Sequence, residues 1–226
     1  SGLAFAGGTI MVFFVPDGPH LPAASPFNPG ALRAAFQVPG FRASAFGYFG
    51  HMWELYAFWA FLPVWLAAYA IHTGAALNIP LWSFIIIAIG FFGCAIGGYF
   101  STRFGSAKVA SVQLAVSGLC CLASPIAFTL NPMLGLMFML LWGITVIGDS
   151  PQFSALNAVI APKAYLGSAL TIANCIGFSI TVVSIQLLST LAEVVGPQYL
   201  FLALAPGPVF GLLALRPLLR NSRHPL

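Results

Sequence analysis

Acidic residues are scarce. The 226-residue chain has four, Asp17, Glu54, Asp149 and Glu193, and charged residues of both signs make up only 5% of it. A soluble globular domain carries about 25% charged residues. That shortage, beside a hydrophobic content of 60%, excludes a soluble domain with an enlarged core. Cysteine is also sparse. Cys94, Cys120, Cys121 and Cys175 all fall inside apolar runs, and no pair has metal-ligand spacing. They read as small packing residues. No phosphate-cradling glycine loop, catalytic triad or metal cluster occurs. No cofactor is therefore expected, and an intramembrane enzyme would lack its nucleophile and base. Basic residues are not interleaved with aromatics, so the net charge of +4 is no nucleic-acid signal.

What the chain does have is a pattern of positive charge. Its eight basic residues form four clusters: Arg33 and Arg42; Arg103 and Lys108; Lys163; and Arg216, Arg220 and Arg223. Residues 43–102, 109–162 and 164–215 contain no Lys or Arg. Each of these apolar stretches is long enough to cross a bilayer and return, at roughly 20 residues per crossing. All positive charge then lies on one face, which the positive-inside rule makes cytoplasmic. The pattern predicts an all-α membrane protein of six transmembrane helices in the cell (inner) membrane, with both ends of the six-helix bundle cytoplasmic. The spans are expected near 44–71, 81–100, 109–130, 133–156, 166–190 and 199–215. Two inverted three-helix repeats, spans one to three and four to six, are an architectural expectation for such a count.

Residues 3–15 are apolar but too short to span, at about 1.5 Å per residue. Residues 1–16 therefore read as the remnant of a preceding membrane helix. Residues 17–43 read as a cytoplasmic linker. The stretch 16–30 holds five prolines, and 31–42 suits a short helix on the membrane face with Leu32 and Phe36 turned inward. The six-helix bundle is assigned to 44–220 and a cytoplasmic tail to 221–226. In span two, Gly93 and Gly97, like Cys94 and Gly98, are small residues four apart, a spacing that lets a neighbouring helix come close. Pro206-Gly207-Pro208 should kink span six. The kink is either a transporter-style interruption or a local packing feature.

The acids are where function is sought. Asp17 falls in the linker and Glu193 in the outer loop between spans five and six. Glu54 falls roughly 15 Å into span one, where a charge costs at least about 2.5–3.5 kcal/mol. Such a residue faces a partner or a wet cavity. His51 lies one turn earlier on the same helix face. Burial disfavours an ionised carboxylate and an imidazolium favours it, so such a pair can exchange a proton near neutral pH. The competing reading is a fixed pair that only locates the helix. Trp53 and Tyr56 are too deep for the interfacial aromatic belt, so they line a cavity or pack. Asp149 is expected near the cytoplasmic end of span four, within reach of Arg103 just past span two. In span five, Ser168, Thr171, Asn174, Phe178 and Thr181 follow helical spacing, with Asn174 near mid-depth. That stripe lines a pathway or makes hydrogen bonds between helices.

The segment from Gly97 to Lys108, GGYFSTRFGSAK, resembles the loop motif between the second and third helices of each half of the major facilitator superfamily. Gly98, Arg103 and Gly105 match, whereas Thr102 stands at the motif's Asp and Ser106 at a usual basic position. GYFGHMWELYAFWAFLP, VIGDSPQFSAL and GPQYLFLALAPGPVFGLLAL are similar to the seventh, tenth and twelfth helices of certain bacterial members. The resemblance covers nearly all of 16–220 and implies a C-terminal six-helix half. It implies secondary transport by alternating access around a central site. It also implies that Arg103 pairs with Asp149 as a cytoplasmic gate, while Thr102 replaces the motif's own acidic member of that charge network. The resulting expectation is proton-coupled transport of a small organic solute. Glu54 would carry the proton and His51 tune it, with Trp53, Tyr56 and Asn174 in the cavity. The partners would be solute, protons, the lipid bilayer and an N-terminal six-helix half or a second copy in a homodimer. A passive facilitator and a non-transporting structural or sensory module are the rival expectations.

Overall fold

The computed structural model describes residues 2–15 and 30–221. Asp17, most of the proline-rich linker and residues 222–226 of the tail lie outside the described residues. Regular structure among the described residues is entirely helical. Helix α1, Gly2–Phe14, is exposed from Ala4 onward. Helix α2, Gly30–Gln37, seats Phe36 against Phe41 with ring centroids 5.5 Å apart. Its Leu32 is exposed on the outside of the bundle, and Ala35 is buried beside Phe36.

Among the described residues six helical segments are long and apolar enough to cross a membrane, which makes this a multi-pass membrane protein. The first is α3, Pro39–Thr73, which begins five residues before the expected start at Ser44. The second is α4, Ile79–Ala88, continued by α5, Gly90–Phe104. The third is α6, Ser106–Phe128. The fourth is α7, Pro132–Gly148, continued by α8, Ser150–Ile160. The fifth is α9, Leu166–Leu191, entered by a 3-10 turn at Lys163–Tyr165. The sixth is a 3-10 segment, Pro197–Leu204, followed by α10, Pro206–Asn221. Asn78 and Asn131 cap α4 and α7, each side chain accepting from the backbone N–H three residues on. Gly105 makes the tight turn from α5 to α6 at φ +84°, a conformation that favours glycine.

Apolar attraction between helices is weak in lipid, so close contact comes from small residues. A Cβ on Gly93 would stand 1.9 Å from the Ile144 carbonyl oxygen of α7. A Cβ on Gly50 of α3 would stand 2.3 Å from the Gly207 carbonyl of α10. The small-residue spacing of span two thus marks a real crossing at Gly93. Gly97 opposes Gln113 of α6 instead, and Gly98 has open space around it.

Two prolines explain two of the interruptions. Pro151 has no N–H for the carbonyl of Ile147, and the Cys94 thiol lies 3.6 Å from that oxygen. Pro206 similarly frees the Leu202 carbonyl, which accepts from the Ala205 N–H at 3.2 Å. One residue on, the Ala203 carbonyl accepts from the Trp53 indole N–H at 3.1 Å. Freed backbone groups inside a membrane need such partners.

Candidate functional site

Glu54 sits about 22 Å along α3 from Pro39, and only 1% of it is exposed. Its Oε1 accepts from the Ser117 hydroxyl of α6, from the Trp142 indole N–H of α7 at 2.8 Å, and from the Cys121 thiol of α6 at 3.3 Å. The Trp142 N–H also lies 3.2 Å from the Ser117 oxygen. One carboxyl oxygen therefore ties together spans one, three and four. Phe58 and Phe201 close over the indole, with centroids 4.5 and 5.1 Å from it. This surrounding is apolar, and so is suited to strong hydrogen bonds.

His51 does not touch Glu54 by hydrogen bond. Its Nδ1 lies 2.9 Å from Asp149 Oδ1, and both side chains are 1% exposed. Tyr48 and Phe153 flank the imidazole at 6.2 and 5.8 Å. His51 Nε2 and Asp149 Oδ2 are buried without a hydrogen-bond partner among the described residues, as are Ser44 Oγ and Asn157 Oδ1 nearby in sequence on the same two helices.

The expected pairing of Arg103 with Asp149 is not formed. Asp149 sits at the break between α7 and α8, and α8 carries the span on to Ile160. This places Asp149 about 16 Å inside the end of the span at Ile160, level with His51 rather than with the loop. Arg103, in the last turn of α5, is exposed and lies over the Tyr99 ring, 5.0 Å from its centroid. The longer span is the reason for the difference.

The expected cavity residues separate. Trp53 turns away from Glu54 and forms part of the wall of a cavity of about 590 Å³ between α3, α9 and α10, with Phe49, Cys175, Ser179 and Phe210. Tyr56 is half-buried, with its ring 5.4 Å from Trp59 and 5.6 Å from Phe178. Asn174 is exposed on the open face of α9, as are Thr171 and Phe178. The span-five stripe is split. Thr181 is buried and donates to the Met52 carbonyl of α3 at 2.9 Å, whereas Asn174 takes no part in the bundle interior.

The sequence reading gives Ser117 and Trp142 no role and takes Cys121 for a packing residue only. Ser117, Cys121 and Ser124 do follow helical spacing. Trp142 lies mid-span, where its N–H needs an acceptor. Those two signals point to a buried acceptor between spans three and four.

No family model matches the chain, and no curated protein matches it in sequence. A solved structure described as "Crystal structure of a bacterial homologue of iron transporter ferroportin in outward-facing state" is similar to it, with a TM-score of 0.64 and 18% sequence identity. The match covers 97% of this chain and 53% of that one. At this identity the likeness shows the fold alone: an all-helical membrane bundle that spans about half the length of a transporter structure.

Proposed function

We propose that the chain is one six-helix half of a secondary transporter of the major facilitator type. It moves a small organic solute by alternating access, coupled to protons. The observation that carries the coupling is Glu54, a carboxyl buried at mid-depth with three donors from two other spans on one oxygen. A charge held there is costly, and its gain or loss changes the strength of every contact that ties α3 to α6 and α7. The His51–Asp149 pair, one turn nearer the cytoplasm, offers a second place for a proton on the same helix. Arg103 stays outside this core as an orientation signal, and the basic face of the bundle is cytoplasmic in an inner membrane. The pathway runs between this half and a second six-helix unit, either a preceding half or another copy. Asn174 and Thr171, exposed on α9, are polar groups suited to that boundary.

The test uses the intact protein in proteoliposomes loaded with a pH-sensitive dye. Small organic acids, sugars and amines are added one at a time, with and without an imposed pH gradient. Solute-dependent proton movement that disappears in Glu54→Gln is the expected result. Flux that persists in Glu54→Gln, insensitive to the gradient, identifies a passive facilitator and defeats the coupling. Absence of flux for the complete assembly defeats the transport reading.

A further inference from the structure

A second cavity lies on the outer surface of the bundle, one turn along α6 from Ser117. It is a groove of about 450 Å³ between α5 and α6, walled by Ile96, Phe100, Phe104, Val109 and Val112, with Lys108 as its one charged lining residue. Phe100 and Phe104 stack with centroids 6.0 Å apart to form one wall. Val112 on the other wall and Ile96 deeper in are both more than half exposed. Gly97 and Gln113 close the deep end, where a Cβ on Gly97 would come 2.9 Å from the Gln113 amide nitrogen.

The groove runs about 12 Å from Phe104 to Ile96. One leaflet of hydrocarbon is about 15 Å deep. The apolar part therefore matches most of one acyl chain in length. Its cytoplasmic end carries Lys108, with Arg103 five residues earlier and also exposed. Neither forms an ion pair with an acid among the described residues. A long apolar trough ending in unpaired positive charge at the membrane surface is complementary to one kind of molecule. We infer that this groove binds a single anionic phospholipid, with one acyl chain along Ile96, Phe100 and Val112 and the phosphate on Lys108. A neutral lipid fills the trough but gains nothing from the lysine. A soluble phosphate gains the lysine but has no use for the trough. Arg103 and Lys108 thus acquire a role besides orientation, and the lipid braces the turn at Gly105.

The experiment is native mass spectrometry of the intact protein in neutral detergent, titrated with phosphatidylglycerol or phosphatidylcholine. Bound phosphatidylglycerol should exceed phosphatidylcholine at equal concentration. Lys108→Gln should weaken phosphatidylglycerol by about fivefold, the effect of one basic residue near an anionic headgroup. Lys163→Gln, in a different cytoplasmic loop, should leave it unchanged. Val112→Trp, at an exposed position, should block both lipids by filling the groove. Should that variant fail to fold, Lys108→Gln against Lys163→Gln still decides. Equal retention of the two lipids overturns the inference, as does an equal loss in the two lysine variants, which would mean diffuse attraction. Displacement of phosphatidylglycerol by inorganic phosphate at the same concentration would mean a soluble-anion site and also overturns it.

Discussion

Trp142→Phe tests whether one oxygen of Glu54 holds three spans together. The substitution keeps an aromatic ring between Phe58 and Phe201 but removes the N–H that reaches Glu54 Oε1 at 2.8 Å. Two terms set the cost. The smaller ring leaves a cavity worth about 1 kcal/mol. The lost hydrogen bond is worth about 1.5–3 kcal/mol if its acceptor is charged and about 0.5–1.5 kcal/mol if neutral. The total is therefore about 2.5–4 kcal/mol for a carboxylate and about 1.5–2.5 kcal/mol for a protonated Glu54. Ser117 makes the measurement sharper, because its hydroxyl contacts both Glu54 Oε1 and the indole N–H. With Ser117→Ala in place, Trp142→Phe leaves the oxygen with Cys121 alone, so the double variant should cost more than the sum of the singles. The assay is reversible unfolding of the four proteins of this cycle in mixed detergent micelles. Additivity within about 0.3 kcal/mol would refute a shared acceptor, since groups joined in one network couple by more than that.

Gly93→Ala should destabilise by about 1–3 kcal/mol, because its Cβ would meet a backbone oxygen that cannot step aside. Gly98→Ala, on the same helix with open space around it, should be neutral or slightly stabilising in the same unfolding assay. Equal effects at the two positions would deny that α5 and α7 cross at Gly93. Asp149→Ala should cost about 3–5 kcal/mol by stranding His51 in the core, whereas Arg103→Ala should cost under about 0.5 kcal/mol. A double-mutant cycle should find Asp149 coupled to His51 and uncoupled from Arg103; the reverse result would restore the cytoplasmic gate.

The class of fold was legible because it rests on quantities that sum over many residues. Six apolar segments and four basic clusters survive any local error, and the structure moves the span boundaries by only a few residues. Two local features were readable too, the crossing at Gly93 and the break at Pro206, because small residues and prolines act through the backbone itself. The side-chain pairs were not readable. His51 and Glu54 lie one turn apart on α3, and that spacing suggested a contact between them. On a helix, though, a side chain one turn away competes with groups offered by every helix packed alongside. Asp149 wins His51, and Ser117, Cys121 and Trp142 win Glu54. Each winner lies more than 60 residues away in the chain, so its approach depends on the rotation of whole helices.

That competition bears on where the proposed proton coupling would take place. Alternating access moves two six-helix units against each other, and a proton site at their boundary would feel that motion directly. Glu54 and Asp149 are instead sealed inside one unit, each 1% exposed. In the proposed cycle a proton bound there would act on the shape of this six-helix unit alone. The position of Asp149 gives that action a lever, because it sits in the break between α7 and α8, next to Pro151, where the helix has already lost a backbone hydrogen bond. Strengthening or releasing the His51–Asp149 contact changes how α8 is held against α3, while the Glu54 contacts fix α7 and α6 above it. Coupling in this reading is a bend within span four. It predicts that Pro151→Ala, which restores a continuous helix, abolishes proton-driven flux in the liposome assay while preserving stability. Unchanged coupling in that variant would place the lever elsewhere.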